Sequence, residues 1–226
     1  MDAQLSKDEI IVLNIIKEYL DKNRDFDKEK FFSLISYRLK MAKININNEG
    51  LKRIIKSLID KNLILEGSKL TKDDILSNEK RRKIYTYISQ NPGVYYSKIV
   101  KDLNYSNHVV IWHLNMLLKF NFIDRIEFMN HFLYYDTNQG PERAKIRYLI
   151  SLKPSKKILK YLNNKVEGVG KTKMASDLKI HIETIGKYLK ILEEQEIITI
   201  ERQSKRKLYR LNKDNYLIPE IMDLID

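Results

Sequence analysis

Cysteine is absent from this chain, which rules out disulfides and thiolate metal sites. Proline and glycine are scarce, at 4 and 7 of 226 residues, so low-complexity linkers have little to be built from. No run approaches eighteen uninterrupted apolar residues, and no segment reads as membrane-spanning. The N-terminus lacks a basic stretch leading into an apolar one, so a secretory leader is not expected. A helix-rich protein of the cytoplasm is the expectation. Acidic residues are the remaining shortage. Against 42 Lys+Arg stand 30 Asp+Glu, a formal net charge of +12 at pH 7. A surplus of this size favours polyanionic partners, nucleic acid ahead of an anionic membrane surface.

The surplus is uneven. Residues 1–76 carry 15 basic and 13 acidic side chains, residues 77–140 carry 8 and 5, and residues 141–226 carry 19 and 12. The last third therefore dominates attraction to a polyanion.

The chain also repeats itself. Residues 83–136 and 157–211 read as helix, turn, helix, tight turn, longer helix and two strands. A shift of 74 places Ile84 on Ile158 and Ile88 on Leu162. With the shift one larger, Ile99, Leu103, Val110, Leu114, Leu117 and Ile123 fall on Met174, Leu178, Ile185, Leu189, Leu192 and Ile198. A fixed period of this kind determines architecture before any single residue does. A shift of 59 brings Leu51, Ile55, Leu58 and Ile64 onto Val110, Leu114, Leu117 and Ile123. The segment 1–76 thus reads as a third, diverged copy. The expected fold is mainly α with small β-hairpin wings, in three domains: 1–76, 77–140 and 141–226.

Within the first domain, Ser6 to Lys22 reads as a helix with Ile10, Leu13, Ile16, Lys17 and Leu20 along one stripe. Asp25 or Asp27 is the expected cap of a second helix, and Asn47 or Asn48 of a third. Leu63–Leu65 reads as a strand and Glu66-Gly67-Ser68 as a turn, a stunted wing. Asn78 is expected to open the next helix, stopped by Asn91-Pro92-Gly93. Ser106 caps a long helix to Lys119, followed by strands Phe122–Ile126 and His131–Asp136. A connecting helix is expected over Glu142–Leu152, and the third copy opens with Ser155–Asn164. Its helix-turn-helix is Lys171–Lys179 with His181–Glu196, its hairpin Ile197–Arg202 with Lys207–Leu211. Asn215–Ile225 reads as a last amphipathic helix.

From Asn91-Pro92-Gly93 to Tyr135 the chain resembles archaeal-type winged helix-turn-helix transcriptional regulators, a broad group that includes ArsR-like proteins. The run Ser106-Asn107-His108-Val109-Val110-Ile111-Trp112-His113-Leu114-Asn115-Met116-Leu117 is similar to their recognition helix. The resemblance implies sequence-specific binding of double-stranded DNA, often as a dimer. The same fold also serves as protein-interaction scaffolding, as in ESCRT-II subunits and general transcription factors, so fold alone leaves both functions open.

With Val110, Leu114 and Leu117 inward, the long middle helix turns Asn107, His108, Ile111, Trp112 and Asn115 outward. Asn can read an adenine edge and apolar atoms can touch thymine methyls in the major groove. No Lys or Arg lies between Ser106 and Leu118, which is poor for phosphate contact. The middle hairpin tip, with Phe128 and Met129, is apolar and suits a homodimer or protein partner. In the third copy, His181, Thr184 and Lys187 face outward, Lys171 and Lys173 flank a helix start, and Arg202, Lys205, Arg206, Lys207 and Arg210 make a basic wing. Such a wing can lie along phosphates or enter a minor groove.

Gly168-Val169-Gly170-Lys171-Thr172 superficially suggests a nucleotide loop, but the motif needs a Gly where Lys165 stands, and a strand where a helix is expected. His108 and His113 are five apart, off the spacing that offers two ligands on one helix face. No catalytic constellation, metal or cofactor is implied.

Overall fold

The computed structural model describes residues 5–20, 28–65, 68, 70–165, 167–203 and 206–225, with backbone alone at 28–30. Its elements in chain order are α1 (Lys7–Leu20), α2 (Lys28–Met41), α3 (Asn48–Asp60), α4 (Lys72–Ile75), α5 (Glu79–Gln90), β1 (Val94–Tyr95), α6 (Tyr96–Leu103) and α7 (Asn107–Lys119). There follow β2 (Ile123–Phe128), β3 (His131–Asp136), α8 (Pro141–Ser151), α9 (Lys153–Asn163), β4 (Val169–Gly170), α10 (Lys171–Leu178), α11 (Ile182–Glu194), β5 (Ile198–Gln203), β6 (Arg206–Leu211) and α12 (Ile218–Ile225). The fold is mainly α with two three-stranded sheets, ordered β1-β3-β2 and β4-β6-β5.

The repeat seen in the sequence recurs in backbone detail. β1 meets β3 at Val94↔Tyr134 and Tyr95↔Leu133. β4 meets β6 at Val169↔Tyr209 and Gly170↔Leu208, the equivalent register in the later copy. Even a side-chain bond is repeated. The Tyr87 hydroxyl donates to Asp102 at 2.5 Å, and the Tyr161 hydroxyl to Asp177 at 2.6 Å. The Asp177 carboxylate pushes the Tyr161 hydroxyl pKa up to about 12.

The corners after the three long helices are alike. α3, α7 and α11 are each followed by a left-handed residue: Asn62 (φ 53), Asn121 (φ 55) and Glu196 (φ 55). In each case the next N–H bonds back into the last turn, Leu63 to Leu58, Phe122 to Leu117 and Ile197 to Leu192. That closes the orphan carbonyls of a helix end. The turns preceding those helices carry Lys43 (φ 55), Asn104 (φ 52) and Lys179 (φ 52).

Residue contacts divide the chain into two compact units, Met1–Tyr87 with Ile99–Asp124, and Ile88–Lys98 with Arg125–Asp226. In the first, α1, α2 and α3 enclose Val12, Leu13, Ile16, Phe31, Ile35, Leu39, Leu51, Ile55 and Leu58. Val12 rather than the expected Ile10 is buried, because the stripe is rotated by the packing of α1 on α3. Ser6 and Glu9 form a capping box, the Ser6 N–H donating to Glu9 Oε2 (2.7 Å) and the Glu9 N–H to Ser6 Oγ (3.2 Å). Glu9 also accepts from Ser57 and Lys61 at 2.6 Å each, tying α1 to α3. Asn47 caps α3 through the Gly50 N–H at 2.7 Å. The expected caps Asp25 and Asp27 lie outside the described residues, as do Glu66 and Gly67 of the expected turn.

The strand expected at Leu63–Leu65 is reduced to one bridge, Ile64↔Thr71. Thr71 at once closes a capping box with Asp74, its N–H and Oγ1 both donating to Asp74 Oδ2. The chain is thereby committed to α4, a helix absent from the sequence-based expectation, instead of a second strand.

In the second unit the core gathers Ile146, Leu149, Ile158, Leu162, Met174, Ile185, Leu189, Leu192, Ile198 and Ile221. Gly93 (φ 87) lets the chain pass against α8: a Cβ there would fall 2.1 Å from the Ala144 carbonyl oxygen. α9 starts two residues before the expected Ser155, with Pro154 in its first turn, where a missing N–H costs nothing. α12 and the residue before it bury Leu217, Ile218, Ile221 and Ile225, and leave the expected Leu224 half-buried.

Candidate nucleic-acid interface

In the third copy the basic side chains are brought together by a close-packed loop. Gly168 lies so near β6 that a Cβ would sit 2.8 Å from Leu208 Cβ, so its glycine serves packing and not phosphate binding. The loop delivers Lys171 to the start of α10. Gly186 on α11 leaves room for the Lys171 side chain, whose Nζ lies 3.6 Å from where a Cβ would stand. Lys165, Lys171, Lys173, Arg206 and Lys207 then line an open cleft of about 1110 Å³, with Glu167 as the carboxylate on its wall. Lys187 and Lys190 on α11 are exposed, and Thr184 is half-buried. His181 is the N-cap of α11, its Nδ1 accepting the Glu183 N–H at 3.4 Å, so one ring nitrogen is already engaged.

The hairpin sorts its cations by partner. Residue pairs directly opposite include Arg202↔Lys207 and Gln203↔Arg206. Arg202 and Lys207 are exposed like charges facing each other across the ladder, an arrangement that destabilises the free protein and that an anion between them relieves. Arg210 is different: it is paired with Glu201 at 2.9 Å, so its charge is largely neutralised within the sheet. Lys205 lies outside the described residues.

In the middle copy α7 buries Val110, Leu114 and Leu117 as the stripe requires, and His113 with them. Asn107, His108, Ile111, Trp112 and Asn115 are exposed, the last three forming an uncharged strip. Trp112 stays 49% exposed. Its ring lies 5.2 Å from the guanidinium of Arg81 and 4.8 Å from the ring of His113. Burial, then the charges of Arg81 and Lys80, holds the His113 imidazole pKa below its ordinary value.

The apolar hairpin tip does not project. Met129 and Asn130 are both left-handed (φ 48 and 64), the geometry of a tight two-residue hairpin turn. Phe128 and Met129 are half-buried against the core of the second unit, Phe128 6.3 Å from the Tyr148 ring. Part of the surface expected to receive a partner is thus covered by the chain's own unit. His131 stacks on Tyr95 at 4.8 Å, and Arg125 lies over Phe132 at 4.8 Å.

Sequence reasoning misses four cations. Lys52, Arg53 and Lys56 are exposed on α3. The same shift that aligns Leu51 with Val110 sets them at Ile111, Trp112 and Asn115, so a signal for them exists. Arg81, only 2% exposed, has none, since its burial depends on α4 and on Trp112. Among the described residues no helix is long and apolar enough to cross a membrane, and no three metal-ligating side chains gather.

Comparison with known proteins adds a relative. Over 144 residues the chain is 32% identical to a protein of Methanocaldococcus jannaschii named an uncharacterized HTH-type transcriptional regulator. The likeness is to a helix-turn-helix regulator. It covers 64% of this chain but 36% of that protein, so the chain spans about a third of its relative's length. No family model matches. A crystal structure of the DIP2311 protein of Corynebacterium diphtheriae aligns over 78% of this chain and 39% of its own, at 11% identity. Its TM-score of 0.24 is too low to carry an argument.

Proposed function

We propose that this chain is a transcriptional regulator that binds double-stranded DNA sequence-specifically through tandem winged helix-turn-helix domains of the ArsR-like type. The observation that carries the reading is the cation-lined cleft of Lys165, Lys171, Lys173, Arg206 and Lys207, continued by the facing like charges Arg202 and Lys207. A row of exposed cations on a hairpin beside a helix-turn-helix matches a phosphate backbone in charge and shape. The relative's name supports the coarser part of it, a helix-turn-helix transcriptional regulator. Phosphate contact is assigned to Lys171, Lys173, Lys187, Arg202, Arg206 and Lys207, and base reading to Asn107, His108 and Asn115. Arg210 is left out of the phosphate set because Glu201 neutralises it.

A second reading, a winged-helix scaffold for protein partners, is supported by the stunted first wing, reduced to the single bridge Ile64↔Thr71, and by Ile111 and Trp112, half-exposed on a strip of α7 that carries no charged side chain. The apolar hairpin tip supports it less, because Phe128 and Met129 are partly buried against the core of their own unit.

Selection from pooled genomic duplex fragments, followed by affinity measured over a salt series, separates the two. Sequence-selected fragments and a steep fall of affinity with salt are expected. Arg202→Gln with Arg206→Gln and Lys207→Gln should weaken all duplexes alike and flatten the slope by about 0.9 for each phosphate no longer neutralised. Absence of duplex binding at low salt overturns the reading and leaves the scaffold. Binding without sequence selection restricts the protein to architecture.

A further inference from the structure

The middle copy poses an electrostatic puzzle. Its outward helix α7 has no cation on the exposed strip, yet α5 opens with four in succession after Glu79, Lys80-Arg81-Arg82-Lys83. The first turn is the positive pole of a twelve-residue helix, where cations are disfavoured and anions welcome. Asn78 caps it through the Arg81 N–H at 3.0 Å. Glu79 takes Lys83, at 2.7 Å. Lys80 and Arg82 are exposed. Lys80 has a ring contact with Tyr105 at 5.9 Å, and Arg82 a long bond to the Leu76 carbonyl at 3.4 Å.

Arg81 supplies an independent observation. Its side chain reaches back past the helix start, Nη1 donating to the Ile75 carbonyl at 2.9 Å. It is 2% exposed, its Nε finds no partner, and among the described residues no carboxylate pairs with it. Trp112 lies over it, and the neighbouring His113 Nδ1 is likewise buried without a partner. A buried guanidinium whose company is one carbonyl and one indole face, with no carboxylate among the described residues, is an unbalanced charge, and it raises the potential of the whole turn.

We propose that the first turn of α5, roofed by Trp112, binds the phosphodiester backbone of duplex DNA and supplies the middle copy with the phosphate contacts that α7 lacks. The assignment rests on the duplex-binding reading above. Lys80 and Arg82 make the contacts. Arg81 is a positioning residue: it holds Trp112 at the edge of the α7 face and biases the site towards anions. A polyanion fits better than an acidic protein segment, because the cations adjoin a face whose exposed amides, Asn107 and Asn115, suit base edges.

The test uses the full chain and the duplex recovered by genomic selection. Lys80→Gln with Arg82→Gln alters only exposed side chains, and an unchanged thermal midpoint checks the fold. The salt slope should become shallower by about 1.8, two phosphates at 0.9 each. Glu79→Gln, which releases Lys83 and removes the local negative charge, should tighten binding and steepen the slope. Either variant indistinguishable from wild type, while the hairpin triple variant is weakened, overturns the α5 site and leaves duplex binding standing. If wild type binds no duplex at low salt, the duplex reading fails and the α5 site falls with it. An acidic peptide bound in place of DNA, and released by Lys80→Gln with Arg82→Gln, also overturns the proposal.

Discussion

In the first unit the carboxylate of Glu9 closes the capping box of α1 and takes Ser57 and Lys61 of α3. Those bonds, Lys61's first, hold its carboxyl pKa down at about 2, against an ordinary value of 4.5. The unfolded chain therefore binds a proton more readily than the folded one over that interval. The stabilisation is complete above about pH 4.5 and is lost as pH falls towards 2. Glu9→Gln should lower the urea midpoint at pH 7 and make the protein less sensitive to acid across that window. Equal midpoints at pH 7 would show that the three bonds contribute nothing net. Ser6 and Glu9 are readable as a capping box from spacing alone. The partnership with Lys61, at the far end of α3, is not, because it depends on how α1 crosses α3.

At the scale of elements, each of the three long helices ends in the same left-handed corner. Two corners use Asn, which tolerates that conformation, but the third uses Glu196. Glu196→Gly should remove about 1–2 kcal/mol of backbone strain and forfeit about 0.5–1 through a looser unfolded chain. A net gain of about 0.5–1 kcal/mol in denaturant unfolding is expected, and a decrease would sink the argument. Gly93 is the reverse case. Gly93→Ala puts a methyl 2.1 Å from the Ala144 oxygen at a φ of 87, so destabilisation by about 3 kcal/mol or more is expected in the same assay.

Over the whole molecule, the apolar skeleton of the repeat is legible in the sequence. Ile84, Ile88, Ile99, Val110, Leu114, Leu117 and Ile123 are buried, and so are their counterparts Ile158, Leu162, Met174, Ile185, Leu189, Leu192 and Ile198. Leu103 and Leu178, also paired by the shift, are both half-buried. Local periodicity carries that information. The candidate site is legible in its composition but not in its pairing. Nothing local says that Arg210 is neutralised by Glu201, that Phe128 and Met129 fold back onto their own unit, or that Arg81 is enclosed beneath Trp112. Each follows from a contact between elements whose mutual placement no spacing rule encodes.

Trp112 is the sole tryptophan of the chain, and that gives the molecule a built-in optical reporter. Its indole is half in solvent and sits on a buried guanidinium, with Lys80 near enough to depress the pKa of the neighbouring His113. Small ions in solution must feel that field. Iodide should therefore quench the intrinsic fluorescence more efficiently than caesium, by a margin that shrinks as inert salt screens the cations. Equal quenching by the two ions would mean that the potential around α5 is not positive. The measurement needs no label, no ligand and no knowledge of the target.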